Sequence, residues 1–296
     1  MAEPGETSHR PVSPPEVPVR PRTSELGLRV ASSLVLALVA LVATYAGGWT
    51  FAGFWFLAAA AILCEWIVMT GAEPRFALQI TLGILLGGLR AAAALGGATG
   101  LDTLPFIAAA AVVCVCGRTA RDRGWAAAGF GYAAVIAVVP PLVREHPRLG
   151  LVALLWMFAV VWLTDIAAYF AGRRFGGPKL WPAVSPKKTW SGFLGGLGAA
   201  VAAGAVVVLV AGQFGWEAPV PLGAVVVASA VASVLSQLGD LGESALKRRF
   251  GAKDSGVLIP GHGGVMDRLD GFWAVAALMG LALAAAQTMR QGWAVG

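Results

Sequence analysis

The densest group of chemically competent side chains in this sequence lies between Ser244 and Asp270. This segment reads SALKRRFGAKDSGVLIPGHGGVMDRLD and holds eight lysines, arginines and aspartates together with His262. The chain as a whole is 57% hydrophobic and only 13% charged. Because charge is costly beside a bilayer, a cluster of this density between two apolar runs indicates a function. Cations, carboxylates and a flexible Gly-His-Gly-Gly turn together suit a phosphorylated substrate and a divalent metal ion.

The glycine-rich turn and the two aspartates after it have complementary chemistry. Gly261, Gly263 and Gly264 allow the backbone to take positive φ and approach a ligand closely. Successive backbone N–H groups in such a turn form an anion-binding concavity. Asp267 and Asp270 are three residues apart and share a face at the start of a predicted helix. Their oxygens suit Mg²⁺, which usually takes one or two carboxylates plus substrate phosphates. The competing interpretation is simple capping of the helix N-terminus.

A second carboxylate stands at the end of the apolar run before this segment, in SQLGDLGESALKRRF. If the helix continues past the membrane surface, Asp240, Ser244 and Lys247 fall on one face. That face would present a carboxylate, a hydroxyl and an ammonium together. The alternative is an ordinary helix end with a surface pair between Glu243 and Lys247, which contributes little.

The segment SPKKTWSG, residues 185–192, adds two adjacent lysines behind a proline. Lys187 and Lys188 are candidate phosphate ligands, and Ser185 and Thr189 offer hydroxyls to the same group. Ordinary membrane-surface anchoring of the two lysines is the alternative.

Asp165 is predicted to be the only carboxylate in the middle of an apolar run, in WLTDIAAYFAGRRFG. An intramembrane acid is a functional candidate by default. The alternative is a position near the cytoplasmic end of the run, with an ion pair to Arg173 or Arg174.

Apolar runs make up most of the chain, and they predict an all-α, polytopic integral membrane protein. The mean hydropathy is +0.74 over 296 residues, and runs of about 17–25 residues are long enough to cross the hydrocarbon core as helices. We predict nine transmembrane helices, over approximately 29–46, 51–70, 76–97, 104–117, 125–142, 149–171, 192–212, 221–238 and 271–289.

The first 24 residues differ in kind, because they contain six prolines and lack apolar periodicity. They are predicted to be a disordered cytoplasmic tail, and no secretory signal is evident. Membrane helices of an N-terminal half are expected over 25–148, and a catalytic membrane domain over 149–296.

The basic residues predict the orientation. With a cytoplasmic N-terminus and nine spans, all but four of the 22 lysines and arginines lie on the inside, as the positive-inside rule requires. The four exceptions are Arg90, Arg144, Arg148 and Arg290. The charged loops at 172–191 and 239–270 then face the cytoplasm, and the active site is expected there.

Several classes of function fit the composition poorly. The sequence has no basic stripe with interleaved aromatics, so nucleic acid is not expected as a partner. Its three cysteines form neither a disulfide framework nor a zinc motif. A transporter would place charges near the bilayer midplane and have related halves. A scaffold with a lipid-binding basic patch would leave Asp240, Asp267 and Asp270 unexplained.

These motifs resemble the signature of the bacterial phosphatidate cytidylyltransferases, also called CDP-diacylglycerol synthases. The resemblance covers roughly residues 165–273, and the N-terminal half is similar in hydropathy only. The matching motifs are D-x-x-A-Y at Asp165–Tyr169, S-P-K-K-T at Ser185–Thr189, G-D-x-x-E-S at Gly239–Ser244, S-x-L-K-R at Ser244–Arg248, K-D-S-G at Lys253–Gly256 and P-G-H-G-G-x-x-D-R-x-D at Pro260–Asp270. One departure is Ser191, where the family often has glutamate after S-P-K-K-T-W.

The resemblance implies that CTP and phosphatidic acid react to CDP-diacylglycerol and pyrophosphate in the inner membrane of a bacterium. It also implies a requirement for Mg²⁺, a response to a monovalent cation such as K⁺, and a homodimer. Asp240 and Asp267 match the metal ligands of the family, and we add Asp270 and Asp165 as further candidates. The predicted catalytic residues are Asp240, Lys247, Lys253, His262, Asp267 and Arg268. The predicted substrate-binding residues are Ser185, Lys187, Lys188, Thr189, Ser244, Arg248, Gly263 and Gly264.

The nearest alternatives are other membrane enzymes that use CTP, such as a polyprenol kinase or an archaeal-type lipid cytidylyltransferase. They differ in the lipid or in the phosphate that is attacked. The long motif from Lys253 to Asp270 argues against the kinase.

Overall fold

The structure is a computed structural model, and it describes residues 22–94, 104–216, 220–259 and 263–294. Over these residues the chain forms nine helices and one short β-hairpin. The elements are α1 Arg22–Ala46, α2 Gly48–Thr70, α3 Arg75–Ala94, α4 Leu104–Cys116, α5 Ala120–Arg144, α6 Gly150–Phe175, β1 Lys179–Trp181, β2 Ser185–Thr189, α7 Trp190–Gln213, α8 Leu222–Arg249 and α9 Met266–Ala294.

Seven of these helices are long and apolar enough to cross a membrane: α2, α3 and α5 through α9. The prediction of a polytopic, helical membrane protein is therefore confirmed. Two of the predicted spans are shorter. Helix α4 has 13 residues, and at 1.5 Å per residue it is about 20 Å long, less than the roughly 30 Å of a hydrocarbon core. The apolar part of α1 for which side chains are described is Val30–Ala46.

The helix ends that carry the predicted chemistry extend further than the apolar runs. The eighth predicted span ends at 238, and helix α8 continues beyond it to Arg249, as the shared face of Asp240 and Ser244 requires. The ninth predicted span begins at 271, and helix α9 begins at Met266, so Asp267 and Asp270 lie within its first turns as predicted. Hydropathy marks only the lipid-facing part of a helix, whereas backbone hydrogen bonds continue for as long as side chains permit.

The segment SPKKT forms strand β2, which corrects the all-α prediction to a nearly all-α fold. Strands β1 and β2 are antiparallel, with Lys179 opposite Thr189 and Trp181 opposite Ser185. Five residues with a proline and two lysines show no period-2 apolar pattern, so the strand could not be distinguished from a loop. The hairpin leads directly into α7, because Thr189 is the N-cap and its Oγ1 accepts the N–H of Gly192 at 3.1 Å.

Helices α6 and α7 pack closely through small residues. A Cβ placed on Gly195 would lie 2.4 Å from Ala171 Cβ, and one on Gly196 would lie 2.8 Å from Thr164 O. Neither position tolerates a side chain at the present helix separation. Small residues allow this approach in membrane helices, where packing replaces much of the hydrophobic effect. The end of α6, the hairpin and the start of α7 thereby form one unit.

Aromatic stacking joins the N-terminal helices to the C-terminal ones. The ring of Trp55 on α2 stacks on Phe272 of α9, with centroids 4.9 Å apart. Phe158 of α6 stacks on the same two rings, at 6.3 Å from Trp55 and 5.3 Å from Phe272. Stacked aromatic pairs contribute beyond their buried area, so α2, α6 and α9 share one packed core.

Two glycines on α5 give a matched test of the packing between α2 and α5. A Cβ on Gly129 would lie 2.5 Å from Trp66 Cδ1, whereas one on Gly131 would meet nothing within 4 Å. We expect Gly129→Ala to lower the free energy of unfolding by about 1–3 kcal/mol because the indole must move. Gly131→Ala should leave it unchanged or raise it by up to about 1 kcal/mol, since alanine favours the helix. Thermal unfolding of both variants in detergent micelles tests this; equal stability would contradict the packing.

Candidate active site

The predicted site residues converge where four helix ends meet. The C-terminal ends of α6 and α8, the N-terminal ends of α7 and α9, and the β-hairpin lie at one end of the helix bundle, because successive helices alternate in direction. Lys188 on β2 forms an ion pair with Asp240 on α8, with Nζ 2.5 Å from Oδ2. The two sequence segments that carry these residues are thus joined directly.

Asp240 and Ser244 lie on one face of α8, as predicted from their spacing. Ser244 Oγ donates to Asp240 Oδ1 at 3.4 Å. Lys247 is on the same helix, but its ammonium binds carboxylates other than Asp240. Its Nζ donates to Asp267 Oδ1 on α9 at 2.6 Å and lies 3.3 Å from Glu243 Oε1. The side chains of Glu243 and Lys247 are 1% and 12% exposed, so the interpretation of their pair as a surface feature is wrong.

Asp267 organises the glycine-rich segment. Its Oδ2 accepts the backbone N–H of Ser255 at 2.9 Å and that of Gly264 at 2.8 Å. Gly263 has φ of 82°, and a Cβ there would lie 2.7 Å from the same oxygen. Of the predicted anion-binding turn, the N–H of Gly264 binds the Asp267 carboxylate, together with that of Ser255. Residues 260–262 lie outside the described residues, so the rest of that prediction stays a prediction. Roles for Gly263 and Gly264 in substrate binding stay predictions.

Acidic side chains from three helices come together at the site. Asp165, Asp240 and Asp270 are close enough to interact electrostatically, and the carboxyls of Glu243 and Asp270 are adjacent. Both oxygens of Glu243 are buried, and the partner that the structure gives Oε1 is the ammonium of Lys247 at 3.3 Å. We name Asp165, Asp240, Glu243 and Asp270 the acidic cluster.

The predicted alternative for Asp165, an ion pair with Arg173 or Arg174, is wrong. No such pair is present among the described residues, and Arg173 donates from Nη1 to the hydroxyl of Tyr169 at 2.9 Å. Asp165 interacts instead with the acids of α8 and α9 and with two cations, Lys188 and Arg268.

The acidic cluster fits a divalent cation in the type of its donors. Carboxylate oxygens, such as the buried ones of Glu243, are the ligands that a hard cation prefers. Within the described ranges, however, no three Asp, Glu, His or Cys side chains are arranged as a complete metal-binding set. This agrees with the habit of Mg²⁺ to use one or two carboxylates and to complete its shell with substrate phosphates and water.

Exposed cations lie on the hairpin, on α8 and α9 and on the segment between these two helices. They are Lys187, Lys253, Arg248 and Arg268, and Arg248 also donates to the carbonyl of Ala252 at 3.1 Å. These cations, which we name the basic rim, together with the acidic cluster suit a polyphosphate that binds with a metal ion. His262 lies outside the described residues, so its predicted role stays a prediction.

The two hairpin residues predicted to offer hydroxyls to phosphate take part in the local structure. Thr189 is buried and caps α7, and Ser185 pairs with Trp181 in the ladder. Ser191, which stands where the family often has glutamate, donates to the carbonyl of Gly176 and lies 3.0 Å from Thr189 Oγ1. It closes the hairpin onto the end of α6.

Sequence reasoning missed two acids. Glu243 was considered only as a surface partner of Lys247. Glu65 lies in the apolar run of α2, so Asp165 is not the only carboxylate within such a run. Its side chain accepts hydrogen bonds from the segment that precedes α9. A carboxylate inside an apolar span is itself the signal that could have found it.

Comparison with known proteins identifies relatives over most of the chain. The sequence model of the Cytidylyltransferase family matches residues 27–286. Proteins named phosphatidate cytidylyltransferase from Brucella suis biovar 1 (strain 1330) and Brucella abortus biovar 1 (strain 9-941) are each 42% identical over 264 residues, which is 86% of this chain and 92% of theirs. The protein of that name from Bacillus subtilis (strain 168) is 43% identical over 130 residues, 44% of this chain and 46% of its own. The chain belongs to the cytidylyltransferase family.

The ion pairs of Lys247 lead to a prediction on stability. Lys247→Met leaves Asp267 and Glu243 without their shared cation, and breaking a buried pair from one side costs about 3–5 kcal/mol. Adding Glu243→Gln should recover part of this loss, because one uncompensated charge is removed. The exposed Lys253→Met is the control and should stay within about 0.5 kcal/mol of wild type. Chemical unfolding in detergent measures all three; a wild-type midpoint for Lys247→Met would contradict the assignment.

Proposed function

We propose that this chain transfers CMP from CTP to phosphatidic acid, giving CDP-diacylglycerol and pyrophosphate. The observation that carries the proposal is the 42% identity, over 86% of the chain, to proteins named phosphatidate cytidylyltransferase. The geometry supports it, because the motifs of the resemblance meet at one end of the bundle in an acidic cluster with a basic rim. Membrane helices suit a substrate that is itself a lipid.

The chemistry needs little covalent help from the protein. A phosphate oxygen of phosphatidic acid attacks the α-phosphorus of CTP in line, a new P–O bond forms, and the bond to pyrophosphate breaks with its electron pair. The attacking oxygen is already anionic near neutral pH, so a strong general base is not required. The main obstacle is repulsion between two anions, and phosphoryl transfer is catalysed largely by positioning and electrostatic stabilisation.

Cationic side chains from three segments of the chain are available to reduce the repulsion between the two anionic substrates. Lys188 reaches the site from the hairpin, Lys247 from α8 and Arg268 from α9. Lys187, Arg248 and Lys253 extend the basic rim outward. We assign these side chains to binding the phosphates of CTP and phosphatidic acid. His262, as a donor to phosphate, completes the proposed set.

Carboxylates of the site would hold Mg²⁺. Asp240, Asp267 and Asp270 are the proposed ligands, with Asp165 and Glu243 nearby, and K⁺ is a further proposed cofactor. When bound, Mg²⁺ would neutralise phosphate charge. Asp240 and Asp267 also hold Lys188 and Lys247 in place, so each aspartate positions a cation of the protein as well.

We further propose that the site faces the cytoplasm from the bacterial inner membrane. The basic bias of the loops at the site end supports this orientation. Helices α1 and α4 would complete nine crossings. Arg144, at the end of α5, donates to the carbonyl of Thr44 in α1 at 2.8 Å. At the other end of the bundle, Arg118, just after α4, donates its backbone N–H to the carbonyl of Glu73. A homodimer stays part of the proposal.

The position of a radioactive phosphate tests the reaction. Detergent-purified protein is incubated with phosphatidic acid, Mg²⁺ and CTP labelled with ³²P at the α or at the γ position. We expect label in the lipid from α-labelled CTP only, because nucleotidyl transfer retains the α-phosphorus. Label from the γ position alone would instead identify a kinase, and no label from either in a folded preparation would contradict both enzymes.

The two metal-ligand candidates give a mutational prediction. Asp240→Asn and Asp267→Asn should each lower turnover by at least about 100-fold, since each removes both a proposed metal ligand and a fixed cation. Membrane insertion should be normal. Glu145→Gln is the control, because Glu145 is exposed and pairs with Arg90 at the end of α5, away from the site. Turnover near wild type at saturating Mg²⁺ in either aspartate variant would remove that residue from the metal assignment.

A further inference from the structure

Glu65 on α2 is a buried carboxylate whose two oxygens are fully engaged by a distant segment of the chain. The residue is 8% exposed. Its Oε1 accepts the backbone N–H of Val265 at 2.8 Å, and its Oε2 accepts that of Met266 at 2.9 Å. Ser255 Oγ also donates to Oε2, at 3.2 Å. All three donors belong to the glycine-rich segment or to the first residue of α9, about 200 positions away along the chain.

Two glycines of this segment wrap closely around the carboxylate. A Cβ on Gly256 would lie 2.8 Å from Glu65 Oε1, and one on Gly264 would lie 2.5 Å from Oε2. The Gly264 position would also bring its Cβ within 2.1 Å of Ser255 Oγ. These contacts explain why both positions are glycine: any side chain would displace the carboxylate from the backbone N–H groups that it accepts.

The same segment is attached to Asp267 on its other side. Ser255 donates its side chain to Glu65 and its backbone N–H to Asp267. The neighbours Gly264 and Val265 donate their N–H groups to Asp267 and to Glu65 respectively. The backbone at 255 and at 264–266 is therefore held between two carboxylates, one from each half of the molecule. Any shift of Glu65 moves the donors that orient Asp267, and Lys247 moves with Asp267.

We propose that Glu65 is a positioning residue for the active site: it fixes the backbone at 255–256 and 264–266 so that Asp267 and Lys247 keep the geometry that turnover requires. Glu65 acts through these residues and does not contact the substrate. The family model matches residues 27–286, so the expectation that the N-terminal half resembles the family in hydropathy only is wrong. That half thereby determines the geometry of a site built in the C-terminal half. The kinetic part of this inference rests on the proposed function.

Glu65→Gln is the sharpest variant, because it keeps the size of the side chain. A glutamine offers one acceptor oxygen, and its NH₂ group would face a backbone N–H, donor against donor. We expect kcat to fall about 10- to 100-fold, as misplacement by about 1 Å does, with KM for phosphatidic acid within about twofold. Glu73→Gln is the matched control from the turn after α2, and it should keep wild-type kcat. Glu73 accepts only the local N–H of Arg75 through its side chain among the described residues.

Hydrogen exchange provides a readout that needs no activity. We expect exchange of the amides in 255–259 and 263–268 to rise at least about tenfold in Glu65→Gln, because local opening costs less when a hydrogen-bonded segment loses its acceptor. Peptides from α7 should be unchanged. Faster amide exchange together with a wild-type kcat would show that Glu65 is only structural, and would overturn the proposal. Unchanged amide exchange in Glu65→Gln would overturn it too.

Ser255→Ala covers the case in which Glu65→Gln does not fold. It removes one donor and leaves the carboxylate and both backbone N–H groups. We expect a smaller fall in kcat, about 3- to 10-fold, and faster exchange in the same peptides; normal values of both would overturn the proposal. If wild-type protein transfers no label from CTP to lipid, the proposed function fails, and exchange alone decides whether Glu65 holds the segment.

Discussion

Carboxylates that are buried against a bilayer need a donor or a cation for their oxygens, and this requirement organises the protein. An uncompensated buried charge costs several kcal/mol. Glu65 and Asp267 meet the requirement with three hydrogen bonds each, from backbone N–H groups, Ser255 and Lys247. The two carboxylates and their partners come from α2, α8, α9 and the segment between α8 and α9. The hydrogen bonds to these two carboxylates thus join four parts of the chain, and they fix the backbone at Ser255 and at 264–266.

This arrangement depends on helices that approach closely at the site end. Glycines on α7 allow contact with α6, and Gly239 on α8 faces the carbonyl of Asp270 on α9, where a Cβ would lie only 2.7 Å away. Within the same core, Trp156 donates to Ser229 at 2.9 Å and Thr164 donates to Ser233 at 3.0 Å. Polar contacts of this kind fix the register of packed membrane helices. The acids of α6, α8 and α9 are brought together by backbone packing, before any ligand is considered.

The sequence predicted the parts of this structure that depend on local pattern. Seven helices follow from apolar runs, and the neighbourhood of Asp240 and Ser244 follows from helical spacing. The strand at 185–189 has no pattern of its own and depends on pairing with β1. Glu65 shows the limit most clearly, because its partners are about 200 residues away and hydrogen bonds over such a separation leave no spacing in the sequence. The partner of Lys247 was missed for the same reason: helical spacing pointed to Glu243, whereas the closest oxygen belongs to Asp267.

The setting of the site explains how two dissimilar substrates of the proposed reaction can meet. Large aromatic side chains are exposed around the end of α6 and the hairpin, namely Tyr169, Phe170, Phe175, Trp181 and Trp190. Aromatic rings collect at the membrane–water interface, where one part of the ring is apolar and another is polar. The hairpin would therefore lie at the level of the lipid head groups, with Lys188 turned inward to Asp240. In the proposed reaction, a lipid phosphate at that level would reach the site without leaving the bilayer, while CTP would enter from the aqueous side. Only a site at the interface serves both, which is why its charges gather at one end of the helices and not at the bilayer midplane.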